Sequence, residues 1–239
     1  MTTLIELCRG VLEVSEGEAE GPCPESIFWR DQQYSRFMNI FYIDRPCDEL
    51  TTDQVYALCR ARNNRPASIG QANYKVRTIF RRTIFELGPI RALEIGAGRS
   101  PVMSTAEALE QGIEYVISDG DESNPNEIFS GEKASLGYET GTLDLVVALF
   151  VLHFRFFESQ ISEIARCLAK EGVFLANMYR REKDSRDLLI DQMSRYGLIV
   201  KVVKDVHELC NNHEYWFIGK NASRLDTVAE DFCTKNFDG

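Results

Sequence analysis

The sequence predicts an α/β fold, a mostly parallel sheet with helices on both faces, and three stretches carry that prediction. In Ala92-Leu-Glu-Ile-Gly-Ala-Gly-Arg-Ser100 an apolar run ends in an acid and two glycines, the pattern of a buried strand that turns tightly with its backbone close to a ligand. Glu114-Tyr-Val-Ile-Ser118 reads as a second strand and ends at Asp119, placed to offer a carboxylate to ribose hydroxyls. Leu143-Asp-Leu-Val-Val-Ala-Leu-Phe-Val-Leu-His153 is nearly all apolar, as a central strand covered on both faces requires.

The remaining elements follow in order. After the glycines, Ser100 suits a helix cap and Pro101 the first helical position, with Met103, Ala106 and Leu109 at helical spacing. Residues 158–168 place Ile161, Ile164, Ala165 and Leu168 on one helical face, which Gly172 ends. A strand over 172–179, a helix over 184–196 closed by Gly197, and two closing strands over 198–203 and 215–219 complete the core. Upstream, Thr52 is read as the cap of a helix running through Arg62. Residues 71–87 form another, with Val76, Ile79, Phe80, Thr83, Ile84 and Leu87 facing the sheet before Gly88 and Pro89 end it. Residues 26–42 hold Phe28, Tyr34, Phe37, Met38 and Phe41 at roughly helical spacing, beside Trp29 and Tyr42. The expected division is a helical extension over 1–88, an α/β core over 89–220 and a tail over 221–239. In the tail, Leu225, Val228 and Phe232 could dock as a short helix.

Composition narrows the partners. A formal charge of −10 argues against nucleic acid, because phosphate binding needs clustered Lys and Arg, and favours a small-molecule substrate. Local clusters such as Lys75, Arg77, Arg81 and Arg82 read first as a solvated helix face and second as an anion-binding surface. Seven scattered cysteines with no CxxC pair suit a reduced, cytoplasmic protein. Neither a signal peptide nor an 18-residue apolar run is present, so no membrane partner is expected. His153, His207 and His213 lack neighbours at ligand spacing, and no metal is expected.

Leu93-Glu-Ile-Gly-Ala-Gly98, Ile117-Ser-Asp119, Gly141–Phe154 and Leu168-Ala-Lys-Glu-Gly-Val-Phe-Leu175 together resemble the motifs of class I S-adenosylmethionine-dependent methyltransferases, over about residues 90–220. The departure is Ser100-Pro101, where the first motif usually has its third glycine. The resemblance implies a Rossmann-like fold with a seven-stranded, mostly parallel sheet whose last strand is antiparallel, an N-terminal helical lid, and S-adenosylmethionine at the carboxyl edge. Carried over by motif, Glu94, Gly96, Ala97 and Gly98 would line the methionine and ribose portion. Asp119 would accept from the ribose hydroxyls, Gly120 and Asp121 would flank the adenosine, Glu132 and Lys133 would contact the adenine, and Leu149 and Phe150 would lie beneath the reacting centre. His153 is the first candidate for base or substrate contact, with Asn177 and Tyr179 on the same edge. Trp29, Tyr34, Phe37, Tyr42, Tyr74 and His213 are candidate walls of the substrate pocket, because aromatic faces hold a sulfonium cation well. The N-terminal aromatics read equally as core filling.

Methyl transfer to nitrogen or oxygen of a small molecule, amino-acid-like or a secondary metabolite, is the leading implication. Two alternatives stay open. One is reaction of the cofactor's amino-acid side chain, closing azetidine-2-carboxylate or passing on the aminocarboxypropyl group, with release of methylthioadenosine. The other is a non-catalytic cofactor-binding subunit.

Overall fold

The computed structural model describes residues 3–15, 23–38, 40–64, 71–123, 127–210 and 213–237. The chain divides into two compact units, Met1–Gly70 and Gln71–Gly239.

The first unit is a five-stranded antiparallel sheet with one helix. Its strands are β1 (Leu4–Cys8), β2 (Val11–Val14), β3 (Ser26–Trp29), β4 (Gln32–Met38) and β5 (Phe41–Ile43), in the order β1-β2-β5-β4-β3. The helix expected across the aromatic segment is therefore a correction: Ser26–Trp29, Gln32–Met38 and Phe41–Ile43 are three strands. Arg30 and Asp31 both take positive φ, 48° and 63°, the twist that a two-residue hairpin needs between β3 and β4. Aromatic side chains suit a pleated, half-buried surface, and Leu12, Val14, Tyr34 and Tyr42 form a core of this sheet. Helix α1 (Thr52–Asn63) starts one residue earlier in capping terms than expected, with Thr51 as cap in a reciprocal box with Gln54.

The second unit holds a seven-stranded sheet. Its strands are β6 (Arg91–Glu94), β7 (Glu114–Asp119), β8 (Glu127–Ile128), β9 (Leu143–Ala148), β10 (Leu168–Met178), β11 (Ile199–Lys204) and β12 (Glu214–Gly219). Their order is β11-β12-β10-β9-β6-β7-β8, and β12 runs antiparallel to both neighbours. Helices α2 (Gln71–Leu87), α3 (Thr105–Glu110) and α6 (Ala222–Phe237) cover one face through Phe80, Ile84, Ala108, Leu225 and Phe232. Helices α4 (Glu158–Cys167) and α5 (Lys183–Arg195) cover the other through Ile161, Ile164, Leu189 and Met193. The sheet residues alternate between these two cores, as period-two strands must. The helix predicted over 71–87 is α2 and belongs with this unit rather than with the N-terminal extension, because its apolar stripe is part of the sheet's own core. The expected tail is the 16-residue helix α6, with Leu225, Val228 and Phe232 all buried. Among the described residues, no helix is long and apolar enough to cross a membrane, and no group of acids, histidines or cysteines is placed to hold a metal.

Candidate active site

The first half of the site lies at the carboxyl ends of β6 and β7. Glu94 is 1% exposed, and its carboxylate accepts the Tyr115 hydroxyl at 2.6 Å and the Val102 N–H at 2.8 Å. Burial pushes its carboxyl up to about 7, against the lowering effect of these two donors and of the Arg77 charge. Arg77 of α2 donates to the carbonyls of Ser100 and Pro101 at 2.7 and 2.8 Å. Residues 100–103 are thus a clamped turn, and α3 begins only at Thr105 behind a Ser104 cap. This corrects the expected start at Ser100: Glu94 and Arg77 hold the backbone of residues 100–102 in a bend, and the helix begins after it.

Asp119 binds the glycine turn to the next loop. One carboxylate oxygen accepts the Gly98 N–H and the other the Asp121 N–H, each at 2.7 Å. Gly96 has φ 64°, and a Cβ there would stand 2.5 Å from Cγ2 of Val151, so the turn packs directly against the chain that leaves β9. Asp121 is buried and accepts from Ser123 N–H. Glu132 and Lys133 lie on an exposed turn, where Lys133 pairs with Glu122.

The second half is a cluster of rings at the ends of β9 and β10 and the start of β12. Strand β9 stops at Ala148, earlier than the apolar run suggested, because Phe150 takes φ 61° and turns the chain. Asn177 Oδ1 accepts the Phe150 N–H at 2.7 Å. Tyr179 stands 5.6 Å from the Phe150 ring, 4.7 Å from His153 and 4.8 Å from His213, the last nearly parallel at 12°. Arg180 also has positive φ, 57°, with its guanidinium 5.6 Å from the Tyr179 ring. Among the described residues, the non-glycine residues of positive φ besides the hairpin pair Arg30 and Asp31 are Phe150 and Arg180, and both flank this cluster. Arg181, 9% exposed, donates from Nη1 to the carbonyls of Leu152 and Phe154 at 3.0 and 3.2 Å, gripping the loop on both sides of His153.

The structure brings together His153, Asn177, Tyr179, Phe150 and His213, all buried, with Leu149 beside them in sequence. Tyr74 lies on α2 with 73% of its surface exposed. Trp29, Tyr34, Phe37 and Tyr42 belong to the N-terminal sheet, where Tyr42 is fully buried and donates its hydroxyl to the Pro24 carbonyl at 2.7 Å. Tyr115 and Arg181 have no site role in the sequence reading, and Arg77 stands there only in a basic cluster read as a solvated face or anion-binding surface. The alternation of β7 places Tyr115 two residues before Ile117 on the Glu94 side, a signal that was readable; the two arginines reach across elements and left none.

No protein-family model matches the sequence, and no curated protein matches it. Among solved structures, the 1,6-didemethyltoxoflavin-N1-methyltransferase of Burkholderia thailandensis, with 1,6-didemethyltoxoflavin and S-adenosylhomocysteine bound, aligns at a TM-score of 0.50 and 15% identity over 82% of this chain and 98% of that one. This chain has the class I methyltransferase fold. Two further structures match less closely: the CurJ carbon methyltransferase, at 17% identity and a TM-score of 0.41, and the citrinin polyketide synthase CMeT domain, at 15% and 0.45. Those alignments cover 56% and 72% of this chain but only 49% and 57% of the other two.

Proposed function

We propose that the protein binds S-adenosylmethionine along the ends of β6 and β7 and transfers its methyl group to nitrogen or oxygen of a small molecule held against the ring cluster. The observation that supports this best is the junction of the two halves: Gly96 meets Val151, so a polar, backbone-lined turn and a buried aromatic cluster share one edge of one sheet. The residues fit the cofactor. Each Asp119 oxygen accepts one N–H and retains a lone pair for a ribose hydroxyl, and Gly96, Ala97 and Gly98 leave backbone close to whatever the turn holds. Glu94 acts one step back, setting the turn at Val102. Gly120 and Asp121 continue the same wall.

When bound, S-adenosylmethionine supplies a methyl carbon already activated by a sulfonium, which leaves as a neutral thioether. The chain's task is then alignment and exclusion of water. Phe150, Tyr179 and His213 provide a dry, ring-lined wall, and Asn177 fixes the backbone that carries Phe150. His153 takes the proton that a protonated acceptor must lose as the new bond forms, and Arg181 holds His153 in place through the carbonyls on either side. A net charge of −10 favours a small-molecule acceptor over nucleic acid.

The test is mass spectrometry of S-adenosylmethionine incubated with protein, with and without a panel of small acceptors, beside a protein-free control. S-adenosylhomocysteine formed with an acceptor supports methyl transfer. Methylthioadenosine above the control, without any acceptor, would replace this reading with reaction of the amino-acid side chain.

A further inference from the structure

We propose that His213 selects the acceptor: it is held as a neutral imidazole with Nδ1 accepting and Nε2–H donating, and so favours flat substrates that carry a carbonyl oxygen or an imine-type ring nitrogen. This rests on the methyltransferase reading for the site but follows from a separate chain of hydrogen bonds.

The chain begins at a group with no choice. The Phe150 backbone N–H can only donate, and it meets Asn177 Oδ1 at 2.7 Å. A flipped Asn177 amide would set two donors against each other, so its orientation is determined. The amide nitrogen therefore faces His213 Nδ1 at 3.5 Å, the long end of a hydrogen bond, and can act there only as a donor. Only a ring with its proton on Nε2 offers a lone pair at Nδ1; an imidazolium would place N–H against N–H. Burial of the ring acts in the same sense, holding its pKa below the usual histidine value, with Asp205 opposing and the charges of Arg180 and Arg186 assisting.

The backbone of His213 is equally committed. Its N–H donates to Cys210 and its carbonyl accepts from Asp205 N–H, at 2.8 and 3.0 Å. The Asp205 carboxylate accepts the Tyr215 hydroxyl and the His207 N–H, and it makes no hydrogen bond to the His213 ring. Nε2 forms no hydrogen bond among the described residues, although only 7% of the residue is exposed. The buried polar atoms without a partner among the described residues do not include Nε2, so this donor keeps an open edge to which a ligand can bond. Tyr179 stacks parallel to the imidazole and Phe150 meets it edge-on at 6.0 Å, so the surroundings favour a flat molecule.

Two measurements decide the matter. In ¹⁵N-histidine-labelled protein, long-range ¹H–¹⁵N correlation at neutral pH, with the three histidines assigned through His→Gln variants, should show His213 as the neutral Nε2–H tautomer. In Asn177→Leu that preference should relax to a mixture. Then 2-quinolone and naphthalene, alike in shape but differing in the carbonyl, are titrated into protein saturated with S-adenosylhomocysteine. The quinolone should bind about tenfold more tightly, the worth of one good hydrogen bond. His213→Phe should erase the difference, and His213→Gln, which keeps an N–H donor, should retain part of it. A charged or Nδ1–H imidazole, equal affinity for the two probes, no quinolone binding, or a preference that survives in His213→Phe each overturns the proposal. Failure of S-adenosylhomocysteine to bind would instead defeat the methyltransferase reading, with the tautomer still deciding the state of His213.

Discussion

The two halves of the carboxyl edge are organised by opposite means. At β6 and β7 the side chains are acids and what they hold is backbone: Glu94 takes Val102 N–H, and Asp119 takes Gly98 and Asp121 N–H. At β9, β10 and β12 the side chains are rings, and backbone polarity is silenced by Asn177 and Arg181. The first half suits a polar ligand recognised by hydrogen bonds, the second a reacting centre kept dry. A change to one half should therefore leave a different signature from a change to the other, except at Gly96, where they touch.

Breaking that contact has the largest expected effect. Gly96→Val adds left-handed strain of about 1–3 kcal/mol and overpacking of similar size against Val151. Urea unfolding should show a loss of about 3–5 kcal/mol and titration calorimetry no S-adenosylhomocysteine binding. Pairing Gly96→Ala with Val151→Ala should recover the packing part but not the strain, a non-additivity that a double-mutant cycle reads directly. Next comes Arg181→Met, which strands the buried Leu152 carbonyl and the part-buried Phe154 carbonyl and should cost about 2–3 kcal/mol. Because these carbonyls belong to the ring half, cofactor affinity should stay within about threefold, a shift of under 1 kcal/mol.

The acid half carries a pH signature. The folded Glu94 carboxyl titrates near 7 rather than 4.5, so between those values the folded chain holds more protons than the unfolded one. Raising pH through that window must therefore lower stability, by up to about 3 kcal/mol for a shift of this size. Glu94→Gln should remove that slope, as unfolding curves at pH 5 and 8 would show; an unchanged slope assigns it to other groups. Tyr115→Phe is the smallest, about 1 kcal/mol, and should be larger at pH 8 than at pH 5 because its hydroxyl supports the charged carboxylate.

The acid half was more legible than the ring half for the same reason that it behaves differently. Backbone turns leave glycines and acids at set spacings, so Glu94, Gly96, Gly98 and Asp119 could be read locally. The apolar period also located α2 to the residue. Rings gathered from three strands share no spacing: His153, Asn177 and Tyr179 are expected on one edge, but nothing local brings His213 into contact with them. Residues 26–42 depart from the helical expectation for a related reason: a short run of aromatics fits helical spacing and strand alternation alike, and the hairpin at Arg30-Asp31 lacks the usual Asn-Gly signal. The turn after Gly98 is not legible locally, because the carboxylate that accepts its Val102 N–H, Glu94, lies eight residues back.

Titration of S-adenosylhomocysteine into the wild-type chain and into Asp119→Ala, with circular dichroism to confirm folding, tests the central claim most directly. Wild-type binding in a range of about 1–100 μM, weakened roughly 100-fold or more by the substitution, is the predicted result. No binding to a folded wild type, or equal binding to both, would contradict it.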